Sequence, residues 1–311
     1  MKSKLPIITV VLAAVVCAPL AFAEQAAESE VTQSGQEMIA DAARRLSSQP
    51  SVAAKIRQRA SLFGRDLVGS GAYRQMRAGG KMLIRLELKL QVGGEITSLQ
   101  QVNDGATLWI RRDVGDASTT GYVNLGKLSK ASSGASASDA AWPTADAMAL
   151  GGLQQLLLEL HGSFLFGVPV SSQLGAVPVW TLHGQWKPEM LAAFFPDQKE
   201  AILAGESPRT ELLPDHVPDT VTLVLGRDEF IPLFPYRIEY SRRIVPAHAE
   251  SRRDSNSHAT ATGVRPLVTM ELFEVQRRVD QDPSLFIYKL GNQHVEDWTE
   301  RFMRRLQVTT D

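Results

Sequence analysis

Cysteine is nearly absent from this 311-residue chain, which has one, at position 17. The fold must therefore be held by packing rather than by disulfides, and thiolate metal sites are excluded for the rest of the chain. A net charge of either sign is also missing, since 33 Lys and Arg balance 34 Asp and Glu. Nucleic-acid binding needs a concentrated basic surface, so we expect no nucleic-acid partner.

Motifs for catalysis or metal binding are missing as well. The six histidines form no HExxH pattern and no other close pair with ligand spacing. No G-x-S-x-G elbow is present, and the glycines at 69 and 71 lack the strand-to-helix context of a phosphate loop. We therefore expect no enzyme activity, no cofactor and no metal ion. A catalytic site assembled from distant segments stays open as the alternative.

Long apolar runs are confined to the N-terminus. Two lysines precede an apolar segment from Leu5 to Leu20, and Ala21 and Ala23 supply the small residues that signal peptidase requires. This pattern predicts a signal peptide over residues 1–23, cleaved between Ala23 and Glu24, and hence a periplasmic or secreted protein. No later stretch has the ~20 apolar residues that a membrane-spanning helix needs.

A lipid-modified lipoprotein is the alternative at Cys17. Processing of that kind needs Gly, Ala or Ser before the cysteine, whereas Val16 stands there. We therefore expect Cys17 to be removed with the signal peptide, which leaves a mature chain without cysteine.

Hydrophobic periodicity begins after a polar leader, residues 24–35, which we expect to be flexible. Ser34 and Glu37 have the spacing of a capping box, and apolar residues then follow at helical intervals as far as Leu46. This pattern predicts a helix that ends before Pro50.

Strand-like alternation follows the first helix. From Met82 to Gln91, aliphatic residues alternate with polar ones, as in a strand with one apolar and one polar face. Glycine pairs at 79–80 and 93–94 occur at hairpin spacing, and so does Asp104-Gly105, where tolerance of positive φ predicts a two-residue turn. Residues 52–112 therefore predict an antiparallel meander of about four strands.

The second half combines a leucine-rich helix, more strands and two segments without periodicity. Residues 130–146 and 246–263 are rich in small and polar residues and predict mobile loops. Between them, a helix weakened by Gly151-Gly152 has four leucines on one face: Leu153, Leu156, Leu157 and Leu160. The predicted strands are residues 177–186, 220–225, 235–242, 266–276 and 285–288. An amphipathic helix carrying Trp298 and Phe302 closes the chain.

Three short motifs accompany this order of elements. GSGAYRQMR, from Gly69 to Arg77, has G-x-G with an arginine six residues after the second glycine, and VNDGATLWI, from Val102 to Ile110, has DG-x-x-LW. SLFIYKLGNQHVED, from Ser284 to Asp297, is the third. With the order of helix, meander, helical insertion and second meander, they resemble the periplasmic lipoprotein carrier superfamily of LolA and LolB and LolA-like exported proteins. The third motif resembles the family's F-x-F-x-P-x-G region, but Leu290 stands where a proline is usual.

The resemblance implies an α+β fold, with a curved antiparallel sheet that forms an incomplete β-barrel covered by helices, as a single domain over residues 36–311. It also implies an apolar cavity that accepts acyl chains. The candidate cavity-lining residues are Met82, Ile84, Leu86, Leu88, Leu90, Leu99, Trp109, Leu153 and Leu157. Alternation alone fits an ordinary solid core equally well, and the two interpretations stay open.

Arg77 is the candidate contact to a lid. In the carrier family, an arginine at this spacing bonds toward the lid, and its rigid fork of five donors can hold several carbonyl oxygens at once. The candidate lid is the Leu153–Leu160 helix with the loop before it. The alternatives are an exposed Arg77 beside a hairpin turn and a helix that simply packs on the sheet.

Together these expectations describe an exported, monomeric binder or carrier of hydrophobic ligands, either lipids or the acyl chains of lipoproteins. The alternative is an envelope sensor or protein-interaction module on the same scaffold, with an envelope protein as its partner. A carrier should have a continuous apolar cavity that opens to solvent, whereas an interaction module can have a filled core and an exposed apolar patch.

Overall fold

The computed structural model describes residues 33–62, 64–92, 94–132, 145–206, 213–214, 216–244, 263–277 and 280–307. All of them belong to one compact unit, Gln33–Asp311. The predicted signal peptide, most of the leader, and most of the predicted loops 130–146 and 246–263 lie outside the described residues. Within these ranges, no helix has both the length and the apolar character needed to cross a membrane.

The first helix, α1 (Gly35–Ser48), confirms the prediction from the capping box. The Ser34 hydroxyl accepts a hydrogen bond from the Glu37 N–H, and the Glu37 carboxylate accepts one from the Ser34 N–H. The apolar face of α1 is buried along its whole length, by Met38, Ile39, Ala42, Ala43 and Leu46.

Six antiparallel strands follow, and the first five cover residues 52–112, where about four were predicted. They are β1 (Ser51–Leu62), β2 (Arg65–Ala78), β3 (Lys81–Val92), β4 (Glu95–Asn103), β5 (Thr107–Val114) and β6 (Ala117–Asn124). In β3 the predicted alternation buries Ile84, Leu86 and Leu88 on one side of the sheet. We call this side of the whole sheet the inner face and the opposite side the outer face.

The second half adds helices and a second meander. Its elements are α2 (Leu125–Ser132), α3 (Ala145–Ser163), β7 (Phe164–Phe166), β8 (Val170–Leu174), β9 (Val177–Trp186), α4 (Pro188–Phe194), α5 (Lys199–Leu203), β10 (Thr220–Gly226), β11 (Pro235–Ile244), β12 (Gly263–Gln276), β13 (Glu296–Asp297) and α6 (Thr299–Gln307). Strand β12 pairs with β1, which joins the two meanders into one sheet.

The 13-stranded sheet has the order β13-β6-β5-β4-β3-β2-β1-β12-β11-β10-β9-β7, and β8 also pairs with β9. The sheet is open, with β13 and β7 at its two edges. The inner faces of both meanders bury their side chains in one core with α1 and α3, which requires the sheet to curve around these helices. The predicted fold class is confirmed as an incomplete barrel covered by helices. The β13–β6 pair is parallel, which the prediction did not include.

The predicted two-residue turn at Asp104-Gly105 is wrong. Strand β4 ends at Asn103 and β5 begins at Thr107, so the connection is longer. Gly105 has the positive φ of 81°, whereas the Asp104 carboxylate accepts hydrogen bonds from the N–H groups of Ala106 and Thr107. The aspartate thus shapes the turn mainly with its side chain, and its own N–H donates to the Thr107 carbonyl across the turn.

The predicted strand at residues 285–288 is also wrong. Pro283–Phe286 form a 3₁₀ turn, which Asp282 begins by accepting a hydrogen bond from the Ser284 N–H. The short apolar run therefore packs as a covering segment: the Arg85 guanidinium, on the outer face, donates to the Leu285 carbonyl over 3.0 Å.

Candidate functional site: the inner face beneath α3

Five of the predicted cavity residues meet in one core between the inner face and α3. The exposed fraction is 0 % for Ile84, Leu86, Leu153 and Leu157 and 7 % for Leu88. A side chain without accessible surface borders no space that a water molecule could enter. The inner face beneath α3 is therefore filled in this structure, which is the solid-core alternative.

The other aliphatic candidates lie at the margin of this core. Met82 and Leu99 are half-buried and pack against it. Leu90 is half-buried as well and lies beside Gly69 of β2, where a Cβ would come within 2.4 Å of the Leu90 side chain. These three residues lie at the border of the filled region and remain partly exposed.

Trp109 lies on the outer face, away from the predicted cavity. Its neighbours along β5, Leu108 and Ile110, are the residues that point into the core. The Trp109 ring stacks on Tyr288, with ring centroids 5.3 Å apart and planes at 10°, and lies 5.6 Å from the ring of Tyr122. Strand alternation explains the difference, because a tryptophan next to two core positions must face the other way.

Helix α3 is broken at Gly152, which has φ 72° and ψ −163°. This conformation is accessible to glycine and strained for other residues. The break also lets the chain approach the sheet closely, since a Cβ at position 152 would lie 2.5 Å from the Tyr73 hydroxyl and 2.9 Å from Gln75 Oε1. The prediction that Gly151-Gly152 weakens this helix is confirmed in a stronger form.

Buried polar side chains of β2 hold the break. The Tyr73 hydroxyl accepts a hydrogen bond from the Leu153 N–H over 3.0 Å and donates one to Gln75 Oε1 over 2.5 Å. Burial raises the pKa of the Tyr73 hydroxyl far above its ordinary value, so the proton needed for donation stays in place.

Strand β4 holds the first part of α3 in the same way. The Asn103 amide donates to the carbonyl oxygens of Ala149 and Leu150, each over 3.0 Å. The Gln101 amide donates to the Asp146 carboxylate over 3.4 Å. We call Tyr73, Gln75, Gln101 and Asn103 the polar latch. All four are buried, with exposed fractions of 0–2 %.

The polar latch is not saturated. Gln75 Nε2 and Gln101 Oε1 are buried without a hydrogen-bond partner among the described residues. A buried polar atom left unpaired costs about 1–3 kcal/mol, so each is an uncommon feature of an inner sheet face. Sequence reasoning missed the latch, although a signal was present: its four residues occupy inward-facing positions where an apolar side chain is expected.

One carboxyl group on α3 is perturbed. Burial, opposed by a hydrogen bond from Gln155 and assisted by the nearby charge of Asp146, raises the pKa of the Glu159 carboxyl to about 7. Burial raises the pKa of the Tyr240 hydroxyl on β11, and the charge of the nearby Glu159 carboxylate acts in the same direction. The helix thus carries a group that changes its charge near neutral pH.

Arg77 contacts the first helix. Its guanidinium is exposed and donates to the Ser47 carbonyl oxygen over 2.7 Å, at the C-terminal end of α1. Among the described residues, no hydrogen bond joins Arg77 to the candidate lid helix Leu153–Leu160. Most of the loop before that helix lies outside the described residues, so a role of Arg77 at a lid stays a prediction. Within the described part of the chain, no group of three or more His, Cys, Asp or Glu residues is placed to hold a metal ion.

No protein-family model and no curated protein matches this sequence. Solved structures similar to the chain include the lipoprotein LppX of Mycobacterium tuberculosis, at 13% identity and a TM-score of 0.36, covering 79% of this chain and 97% of that one. A DUF1329 family protein from Desulfovibrio piger matches at 8% identity and a TM-score of 0.31, over 82% and 96% of the two chains. An outer membrane lipoprotein-sorting protein domain from Vibrio parahaemolyticus matches at 8% identity and a TM-score of 0.28, over 81% and 95%.

Proposed function

We propose that this chain is an exported binder or carrier of hydrophobic ligands, lipids or the acyl chains of lipoproteins, which enter between the inner face and α3. The observation that carries the proposal is the way α3 closes an aliphatic sheet face: the helix is broken at Gly152 and fixed by the polar latch. The structure then corresponds to a closed state, and α3 acts as the lid.

The free energy needed to expose the leucines of the lid is similar in size to the free energy gained when an acyl chain leaves water. Leu153, Leu156, Leu157 and Leu160 belong to the lid itself and are 0–2 % exposed, because they pack against the core. Exposing four leucines to water costs about 8 kcal/mol, at about 2 kcal/mol each. An acyl chain of about 14 methylene groups gains about 11 kcal/mol on leaving water, at about 0.8 kcal/mol per methylene. A long acyl chain can therefore replace the lid contacts, whereas a short one cannot.

The polar latch suits an element that must move. The Asn103 amide and the Tyr73 hydroxyl bond to backbone groups of α3, and either water or the polar linkage of a lipid can take over these bonds when the helix leaves. An all-aliphatic contact would hold the helix in place without a defined docking geometry. The latch thus sets one closed position while keeping the exchange with a ligand close to balanced.

The proposal also covers the compartment, the oligomeric state and the absence of a catalytic role. The protein acts in the periplasm or outside the cell after removal of residues 1–23, as a monomer that needs no cofactor and performs no catalytic step. Its ligand partners are lipids or lipoprotein acyl chains.

Mass spectrometry of lipid extracted from the purified protein tests this function. We expect acyl lipids to be retained, and the delipidated protein to bind a fluorescent fatty acid. Leu157→Gln should lower this binding, because Leu157 is fully buried on the inward side of the lid, whereas Leu158→Gln is the matched control on the same helix, at 42 % exposure. Thermal unfolding of both variants verifies that they fold. Absence of bound lipid together with absence of fatty-acid binding would refute the proposal.

A protein-interaction module on the same scaffold is the second candidate. It is favoured by Leu165, Val168 and Val170, which are 49–67 % exposed at the β7–β8 edge of the sheet. Exposed apolar residues on an edge strand suit the addition of a partner's strand. This function predicts that Val170→Lys abolishes capture of an envelope protein while lipid content stays at zero in both forms.

A further inference from the structure

A continuous groove runs across the outer face, on the side away from α3. It consists of two adjoining depressions of about 490 and 560 Å³ that share Arg57, Arg59 and Val68. The register places Arg59, Val68, Gln91 and Ile96 side by side on β1, β2, β3 and β4. Four neighbouring strands span about 14 Å, so these side chains form one row. We call this row with its surroundings the outer groove.

The outer groove contains cations without an anionic partner. Arg57 and Arg237 both pair with Glu271, at 3.4 and 2.6 Å. Arg59, Lys89 and Arg265 are exposed and have no ion pair within the part of the chain that the structure describes. The carboxylates of Asp66 and Glu239 also line the groove, but the basic side chains outnumber the acidic ones there. A chain with near-zero net charge thus concentrates free positive charge on one surface.

Two exposed aliphatic side chains stand in the same row as Arg59. Val68 is 56 % exposed and Ile96 is 64 % exposed, on either side of Gln91. Fixed on strands, these side chains cannot fold back onto the core. Aliphatic groups next to unpaired cations are what an anionic bilayer surface binds, because the cations meet lipid phosphates while the aliphatics enter the interface.

We infer that the outer groove docks this protein on anionic membrane surfaces. Arg59, Lys89 and Arg265 contact the phosphates, and Val68 and Ile96 enter the acyl-chain boundary. A free phosphate would be recognised by the cations alone, so the aliphatic pair favours a lipid surface. This inference goes beyond the proposed function: it assigns a membrane contact to the face opposite the lid, and either proposal can fail while the other holds.

Co-sedimentation of the purified protein with vesicles tests the docking. Binding to vesicles of mixed phosphatidylcholine and phosphatidylglycerol should exceed binding to phosphatidylcholine alone, and it should weaken as salt is added. Arg59→Ser combined with Lys89→Ser should weaken it about 25-fold, because each basic residue near an anionic surface contributes about a factor of five. Lys199→Ser with Arg304→Ser removes the same charge elsewhere on exposed helical positions and should leave most binding intact.

A second pair of variants separates docking from general electrostatics. Val68→Ser with Ile96→Ser should weaken vesicle binding while its salt dependence remains, whereas Val168→Ser with Val170→Ser, at similar exposure on the sheet edge, should not. Thermal unfolding verifies that each protein folds. Lack of vesicle binding, equal binding to neutral and anionic vesicles, or equal loss in groove and control variants would overturn the inference. Unchanged lipid content of the groove variants separates this result from the proposed function.

Discussion

The Tyr73 hydroxyl is the smallest group whose removal tests the lid. Tyr73→Phe keeps the ring in the core and deletes the oxygen that accepts from the Leu153 N–H and donates to Gln75 Oε1. Both partners are buried, and Gln75 Nε2 already lacks a partner among the described residues. The change therefore leaves the backbone of α3 without an acceptor at its break.

Tyr73→Phe should destabilise the closed position of α3 by about 2 kcal/mol, within the range of about 1–3 kcal/mol for a buried donor left without an acceptor. If the latch fixes α3 and no other element, the lost free energy lowers the cost of opening α3 locally. The open form should then be about 30-fold more populated. Hydrogen exchange of the α3 amides should accelerate by that factor. The amides of α1 should keep their protection, because their hydrogen bonds lie within a separate helix.

Tyr236→Phe is the matched control. It also removes one tyrosine hydroxyl, which donates to the Asp228 carboxylate over 3.0 Å, at a site without a hydrogen bond to α3 in the described residues. This variant should not change exchange in α3 selectively. The reasoning is refuted if Tyr73→Phe leaves α3 exchange unchanged, or if α1 and α3 accelerate together in Tyr73→Phe by the same factor.

Three further predictions concern the same site. Gly152→Ala should destabilise the protein by about 1–3 kcal/mol in urea unfolding, because φ is positive and the Cβ meets Tyr73. Gly162→Ala, on the same helix, meets no atom within 4 Å and should cost much less. Burial is the main reason why the pKa of Glu159 rises from 4.5 to about 7 in the folded protein. Between these pH values the folded state retains a proton that the unfolded chain releases, so the free energy of unfolding should fall as the pH rises from 4.5 to 7 and then level off. Glu159→Gln should flatten this profile. Leu86→Trp should cost about 1–3 kcal/mol by overpacking and block lipid uptake; a loss of stability with unchanged lipid binding would contradict the lid account.

Much of the fold could be predicted because its signals are local. The capping box at Ser34 and Glu37 and the alternation in β3 depend on neighbours within a few residues, and both appear in the structure as expected. The Asp104 turn and the 285–288 segment were wrong for a different reason. In each case an aspartate carboxylate accepts backbone hydrogen bonds, which propensity and periodicity do not describe.

The site was predicted only in its aliphatic part. Ile84, Leu86 and Leu88 follow from alternation, whereas the facing of Trp109 required the register of β5 against the core. The polar latch depends on long-range contacts: Asn103 bonds to the carbonyl of Ala149, 46 residues further along the chain. Such pairs arise only when α3 folds back over the sheet. Polar residues at inward-facing positions therefore mark the latch in the sequence, but its bonding partners do not follow from any local pattern.

Hydrogen exchange at the Leu153 amide, measured with and without bound acyl lipid, tests the central claim most directly. In the closed state this N–H is buried and donates to the Tyr73 hydroxyl. Lipid that enters beneath α3 must break this bond, so loading should accelerate exchange at Leu153 while the amides of α1 stay protected. Stoichiometric lipid binding with unchanged protection at Leu153 and along the rest of α3 would contradict the account, because the ligand would then bind elsewhere.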